Sequence, residues 1–418
     1  MKSSLVCFSL AIFILALALP LSAQQGILYG KIYTVDNEEL EGFIRWDKNE
    51  ASWDDILDGN KELDRQHSKK YKSRMRDKYR RDRGRDISVF GIKLYSEGNN
   101  YFSWGDDEAQ SGIRFGHIKS FIPIGDDRVE LELKSGETIE LSGGSGDIGD
   151  DNREILVDEI NEGILELVWD DIDRIDFMPS PNKETAFGKR LYGKVVTRRG
   201  SEFTGFICWD KDEAYDEDIL DGDEGRRSRK IPFSKIERIE RRSSGSAEVT
   251  LKGGKMMSLD DSNDIDSGNR GIVISDLNLG SVVVDWDDFD HIEFADPPKG
   301  PSYDSFDGGK KLHGTVYTED GKKYTGNIRW DDDEEYTWEI LDGNVRDIEF
   351  NIEFAMIASI EKNSHRGSTV IMKDGREFEL RDSNDVDDEN KGIFIYSDDD
   401  KDEVMVDWYD FEKVEFSK

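Results

Sequence analysis

Three stretches of this chain are copies of one another. Residues 29–59 read YGKIYTVDNEELEGFIRWDKNEASWDDILDG, residues 192–222 read YGKVVTRRGSEFTGFICWDKDEAYDEDILDG, and residues 313–343 read HGTVYTEDGKKYTGNIRWDDDEEYTWEILDG. A second recurring segment closes each copy: LVWDDIDRIDF (167–177), VDWDDFDHIEF (284–294) and VDWYDFEKVEF (406–416). Trp209 and Trp330 are 121 residues apart, and Trp286 and Trp408 are 122 apart. A fixed spacing of that size means one structural unit written three times. The first copy is longer, by an insertion of about 46 residues between Gly59 and Ile113.

Inside each copy the apolar period is two, the side-chain period of a strand. Leu40, Gly42, Ile44 and Trp46 share a face, as do Phe203, Gly205, Ile207 and Trp209, and Tyr324, Gly326, Ile328 and Trp330. Val282, Val284 and Trp286 repeat the pattern, and so do Val404, Val406 and Trp408. Turn pairs such as Arg199-Gly200, Asp320-Gly321, Gly253-Gly254 and Asp374-Gly375 separate the runs at hairpin spacing. No copy carries a sustained helical period. The pattern predicts an all-β chain with roughly six to eight short strands per unit.

Each closing segment sets a turn-like acidic pair between two strands, as in Trp286, Asp287, Asp288, Phe289, then Ile292 and Phe294. IPFSKIERIE (231–240), with counterparts from Ile113 and Ile352, ends the first half of each unit in a related shape. This strand, short turn and final strand resemble the end of SH3-like and Sm-like small barrels, which implies small barrel or sandwich units and no particular activity. Pro, Gly, Ser and Asp cluster at 179–188 and 296–309, a linker composition. The expected domains are 26–180, with the insertion at about 60–112, then 188–297 and 310–418.

The start of the chain has the form of a cleaved secretory signal. Lys2 precedes an apolar run from Leu5 to Leu19, a break at Pro20 and the small residues Ser22 and Ala23. The expected cut follows Ala23, leaving 1–23 as the signal and an exported product, periplasmic or extracellular. Cys7 lies ahead of most of that run, so it is no lipid-bearing cysteine, and Cys208 is left without an intramolecular disulfide partner. No later stretch approaches the roughly 18–20 apolar residues of a spanning helix. The net charge of -36 repels phosphate backbones and anionic headgroups. Nucleic acid and membrane insertion are therefore excluded as expectations, and a protein or polysaccharide partner is left.

Tryptophan on an exported protein suggests a sugar-binding face, but six of the nine lie in phase with Ile, Val or Leu and read as core, worth on the order of 2–3 kcal/mol each. Trp53, Trp104 and Trp338 fall outside that phase and are the expected exposed aromatics. The acidic loops after the first-half tryptophans carry the candidate metal ligands: Asp47, Glu50 and Asp58; Asp210, Asp212, Glu213 and Asp221; Asp331, Asp333, Glu334 and Asp342. Crowded carboxylates need a cation or an arginine among them, and extracellular calcium at millimolar levels can fill weak sites. The spacing does not follow the twelve-residue calcium loop, and turn-forming Asp and Asn paired with Arg45 or Arg329 explain the same residues. A second acidic set, Asp261, Asn263, Asp264 and Asp266 with Asp382, Asn384, Asp385 and Asp387, keeps only Asp147 in the first unit. On that count it reads as no requirement of the unit.

Catalysis has no sequence support. The five histidines do not recur between copies, and no nucleophile elbow, phosphate loop, zinc pair or redox cysteine pair is present. Paired acids suited to glycoside hydrolysis arise by chance among 93 acidic residues. Cys208, standing where the other copies have Arg45 and Arg329, reads as an exposed bystander. The eleven Lys and Arg between Arg65 and Arg85 read as a mobile or helical surface arm. The expected function is non-enzymatic binding or scaffolding through three similar units, without a cofactor. A calcium-dependent binder or adhesin is the alternative, and a carbohydrate-binding or carbohydrate-active protein the second alternative.

Overall fold

The computed structural model describes residues 26–62, 88–89, 92–93, 108–143, 146–397 and 403–417. The expected signal at 1–23, the basic stretch 65–85 and Trp104 lie outside the described residues. The chain is all-β: its only helical elements among the described residues are single 3-10 turns. Among the described residues no helix is long and apolar enough to cross a membrane.

The first unit comprises β1 (Tyr29–Thr34), β2 (Glu39–Trp46), β3 (Ile56–Glu62), β4 (Ser88–Val89), β5 (Ile92–Lys93), β6 (Glu108–Arg114), β7 (Ile118–Pro123), β8 (Arg128–Leu133), β9 (Thr138–Ser142), β10 (Ile155–Glu159), β11 (Gly163–Leu167) and β12 (Ile172–Phe177). β4 and β5 form a small ladder of their own within the insertion. The other ten make one antiparallel sheet in the order β11-β10-β2-β1-β12-β7-β8-β9-β3-β6. The last strand thus joins the two halves of the unit, pairing with β1 on one side and β7 on the other.

The strands of 192–294 pair in the same order. Tyr192–Thr197 lies between Glu202–Cys208 and Phe289–Phe294, and the latter continues to Ile236–Ser243. His313–Thr318 repeats this with Lys323–Arg329, Phe411–Phe416 and Ile357–Ser364. Each of these two stretches holds ten strands, more than the six to eight expected. The surplus comes from strands such as Ile393–Tyr396, four residues long, and Arg227–Pro232, largely polar, in which no apolar alternation shows.

The in-phase tryptophans are core. Trp46 packs edge-on against Trp169 at 6.4 Å between ring centres, Trp209 against Trp286 and Trp330 against Trp408, both at 6.3 Å. The glycine two residues before the recurring Ile explains its own recurrence. A Cβ on Gly42 would lie 2.4 Å from the Asp158 carbonyl oxygen, on Gly205 2.2 Å from that of Ser275, and on Gly326 2.0 Å from that of Tyr396. Only a residue without a side chain lets the crossing strand approach this closely.

The three units share boundaries rather than hanging from linkers. Gly280–Val284, the outer strand of a second-unit hairpin, pairs with Ile348–Glu353 of the third unit. One hydrophobic core runs through the second and third units, and the core of the first is completed by Phe187, Cys208, Tyr215, Tyr303, Phe306 and Trp338. Buried and half-buried ion pairs cross the same boundaries. Arg45 binds Asp218 at 2.8 Å, Arg190 binds Asp55 at 3.0 Å, and Arg114 lies 3.1 Å from Glu353. Lys61 binds Glu339. Asp55, Asp218 and Glu339 are counterparts. Each caps two backbone amides of its own loop, such as Ala51 and Ser52 for Asp55, and each takes a cation from another unit.

These boundaries overturn three expectations. Trp53 is fully buried and Trp338 is 2 % exposed, because each is covered by linker residues: Tyr303 lies 4.6 Å from Trp53, and Gly309 sits against Trp338. Cys208 is buried too, in the core shared with the first unit, and burial pushes its thiol well above its ordinary pKa.

Candidate cation centres

Each Trp-Asp loop is a tight reversal. Trp46 and Glu50 exchange backbone hydrogen bonds of 2.8 and 3.0 Å, and Asp47 and Lys48 between them have φ of 42° and 70°. Two successive left-handed residues reverse the strand as a type I′ turn does, and Asp tolerates that region better than most. Asp210 with Lys211 and Asp331 with Asp332 repeat the geometry. The turn sends the aspartate and the glutamate to the same side, toward the loop that precedes β10 or its counterpart.

That second loop supplies a third carboxylate. Asp147 comes within reach of Asp47 and Glu50, and Asp264 within reach of Asp210 and Glu213, with candidate ligand oxygens of each trio all within 4.8 Å of one another. Asp331, Glu334 and Asp385 occupy the counterpart positions in the third unit. The third aspartate is fixed from both ends. Its backbone carbonyl accepts the indole N–H of Trp46, Trp209 or Trp330, at 2.9, 2.8 and 2.9 Å. Its carboxylate accepts the backbone N–H of Asp58, Asp221 or Asp342, at 2.8, 2.6 and 2.9 Å.

The sequence-predicted residues therefore divide. Asp47, Glu50, Asp210, Glu213, Asp331 and Glu334 converge. Asp58, Asp221 and Asp342 contribute a backbone amide to the centre. Asp212 takes the same two guanidinium groups that reach Asp47 and Asp210, Arg153 at 3.0 Å and Arg270 at 3.3 Å, and Asp333 sets a buried carboxylate beside Asp331 and Glu334 while its carbonyl accepts from Lys61. The residues missed are Asp147, Asp264 and Asp385. In sequence their set keeps only Asp147 in the first unit and so reads as dispensable, yet that survivor is the position all three centres use.

A basic side chain sits on the first aspartate of each trio. Arg153 reaches Asp47 at 3.0 Å, Arg270 reaches Asp210 at 3.1 Å, and Lys391 lies 3.8 Å from Asp331. Arg45 and Arg329, the expected local partners, are engaged elsewhere: Arg45 with Asp218, and Arg329 with Glu335 and Asp332. The glutamates are left short. Oε2 of Glu50, Glu213 and Glu334 is buried in every unit with no hydrogen-bond partner, and Glu50 and Glu334 are 6 % and 5 % exposed. Burial and then the third aspartate push Glu213 up to about 9, and burial raises Asp264 to about 6. Burial, with the neighbouring carboxylates, likewise raises Glu50, Asp147, Glu334 and Asp385 well above the ordinary carboxylate range.

A buried carboxylate pair without a counter-charge takes up a proton or a cation. The donors are oxygen only, the chemistry of hard cations. Opposed oxygens on calcium stand up to about 5 Å apart, a span that accommodates the trios of the first and second units. The first and third centres also open on a common cavity of about 820 Å³ at the meeting of the three units, lined by Glu50, Asp58, Glu334, Asp342 and Asp385 with Lys211 and Lys391. Fold and site thus describe an all-β chain with recurring buried acidic centres. No family model, curated protein or solved structure matches it.

Proposed function

We propose that this chain is a non-enzymatic, exported binding or scaffolding protein, periplasmic or extracellular, with three similar units held in fixed relation and calcium seated in their acidic centres. The observation that carries the reading is the partnerless, buried Oε2 of Glu50, Glu213 and Glu334 beside a second carboxylate. A buried charge left so in three copies is costly unless an ion completes it. The units are read as SH3-like barrels or sandwiches at 26–180, 188–297 and 310–418; β12 closing on both β1 and β7 supports that shape. The buried ion pairs and the ladder between units support a platform rather than beads on a string. A glycan-binding row of indoles loses its support, since Trp46, Trp209 and Trp330 are fully buried.

Calorimetric titration of chelator-treated protein with calcium tests the reading. Saturable heat with a stoichiometry above one, accompanied by a rise in melting temperature, is expected. No heat and no shift at millimolar calcium overturns the calcium part. A chain whose three units melt as separate transitions overturns the platform.

A further inference from the structure

The ladder between the second and third units has an unused counterpart. Gly280–Val284 pairs with Ile348–Glu353 in the register Gly280↔Ile352, Ser281↔Asn351, Val282↔Phe350, Val283↔Glu349 and Val284↔Ile348. β11 holds the place of Gly280–Val284 in the first unit: Leu167 faces Ile155 as Val284 faces Ile272. Arg227–Pro232 holds the place of Ile348–Glu353 in the second unit: Ile231 faces Leu220 as Ile352 faces Leu341. Each of these two strands is bonded along one side only, and its outer edge pairs with no other strand among the described residues. The molecule thus shows both halves of the ladder, on two different surfaces.

The two edges are complementary in chemistry. Ile164 is 49 % exposed, Val168 53 % and Ile160 55 %; half of the six large exposed hydrophobics among the described residues fall on the β10–β11 hairpin. Ser281, the second-unit counterpart of Ile164, is 8 % exposed, and Val283, the counterpart of Glu166, is 7 % exposed, both covered by the third unit. An apolar edge strand left bare is a template for another strand. Around Ile164 stand Glu162 and Glu166, whereas the opposite edge carries Arg226, Arg227, Arg229 and Lys230.

We propose that copies of this chain join head to tail, β11 of one adding to Arg227–Pro232 of the next in the register of the internal ladder. Gly163 then faces Ile231, Ile164 faces Lys230, Leu165 faces Arg229, Glu166 faces Ser228 and Leu167 faces Arg227. Leu165 and Leu167 cover the aliphatic stems of the two arginines, and Glu166 lies diagonally across from Lys230, within reach of a long side chain. Pro232 has no N–H to repeat the Glu353 bond to the Leu279 carbonyl, so the ladder ends one bond sooner. Because the joined surfaces differ, the contact is heterologous and extends into rings or filaments. A second copy is the occupant because the matching strand, in the matching position and with the opposite charge, is carried by this chain.

Sedimentation velocity across a wide concentration range tests this with the purified chain and variants at exposed positions. The parent is expected to rise from one chain mass to multiples of it. Ile164→Lys with Glu166→Lys is expected to stay monomeric, and Lys230→Glu to shift association to at least tenfold higher concentration. Glu166→Lys combined with Lys230→Glu is expected to recover association, because every interface then regains an opposite pair. Circular dichroism and melting temperature, expected unchanged, show that the variants fold. A parent that is monomeric throughout overturns the proposal, as does association that persists unaltered when Ile164 and Glu166 are both lysine.

Discussion

The Arg190 guanidinium sits on the Asp55 carboxylate at 3.0 and 3.2 Å, both side chains buried, across the boundary between the second unit and the first. Asp55 also caps the amides of Ala51 and Ser52, and Asp54 lies beside it with neither carboxylate oxygen hydrogen-bonded. Arg190 is therefore the counter-charge for Asp55 and shares that role at Asp54 with Arg114.

Removing it strands Asp55 and leaves Asp54 with Arg114 alone. Arg190→Ala is expected to lower unfolding stability by about 3–5 kcal/mol, the cost of an uncompensated buried charge. Arg190→Met with Asp55→Asn is expected to recover more than half of that loss, since no net charge is then left behind at Asp55. Urea unfolding of the three chains measures both quantities; a loss below about 1 kcal/mol for Arg190→Ala would show the pair to be solvent-relaxed.

The acidic centres fix a pH dependence. A carboxyl raised in the folded state binds its proton more tightly there than in the unfolded chain, so stability is largest below the ordinary carboxylate pKa and declines as pH climbs toward the folded value. Glu213, raised to about 9, sets the upper end of the window, and Asp264, raised to about 6, contributes over its lower part. In chelator the melting temperature is expected to fall steadily between pH 5 and about 9, and calcium is expected to restore it most at the alkaline end. Scanning calorimetry at several pH values with and without calcium reads this directly; a calcium gain independent of pH would separate the metal from these carboxylates.

Substituting the glutamates separates proton from cation. Glu50→Gln, Glu213→Gln and Glu334→Gln together remove the charge while keeping the shape. At pH 8 in chelator the triple variant is expected to melt higher than the parent, because the parent glutamates must take up protons on folding at that pH and the glutamines need none. In calcium the order is expected to reverse, because only the parent gains binding energy. Thermal shift assays in the two buffers decide it, and a variant that still gains from calcium would place the ion elsewhere.

Strand alternation, the in-phase indoles and the convergence of Asp with Glu after each Trp were all legible in the sequence, because each depends on residues within a few positions of one another. What lay beyond reading was long-range. Asp147 is 89 residues from the Asp58 amide it accepts, and its loop keeps so little of the pattern that nothing local marks it as the shared position. Trp53 and Trp338 broke the strand phase because they face other parts of the chain, a fact written in the linker residues Tyr303 and Gly309 rather than in their own surroundings. The same distance hid the ion pairs: nothing near Arg45 points to Asp218.

Cys208 shows the consequence of that exchange between units. Its first-unit counterpart, Arg45, crosses to Asp218, and the reciprocal arginine from position 208 would cross to Asp55, the acid that Arg190 occupies. One guanidinium suffices for one carboxylate cap, so a small apolar thiol fits where a second would crowd. Cys208→Arg, restoring the residue of the other copies, is expected to lose about 1–3 kcal/mol through overpacking beside Arg190, while Cys208→Ala is expected to change stability far less. The parent thiol, buried and held above its ordinary pKa, is expected to react with a disulfide reagent only as the protein opens, since the thiolate is the reactive form. Labelling rates that climb with urea in parallel with unfolding support this arrangement; fast labelling of the native chain, or a Cys208→Arg variant as stable as the parent, would mean that Arg190 does not fill the place.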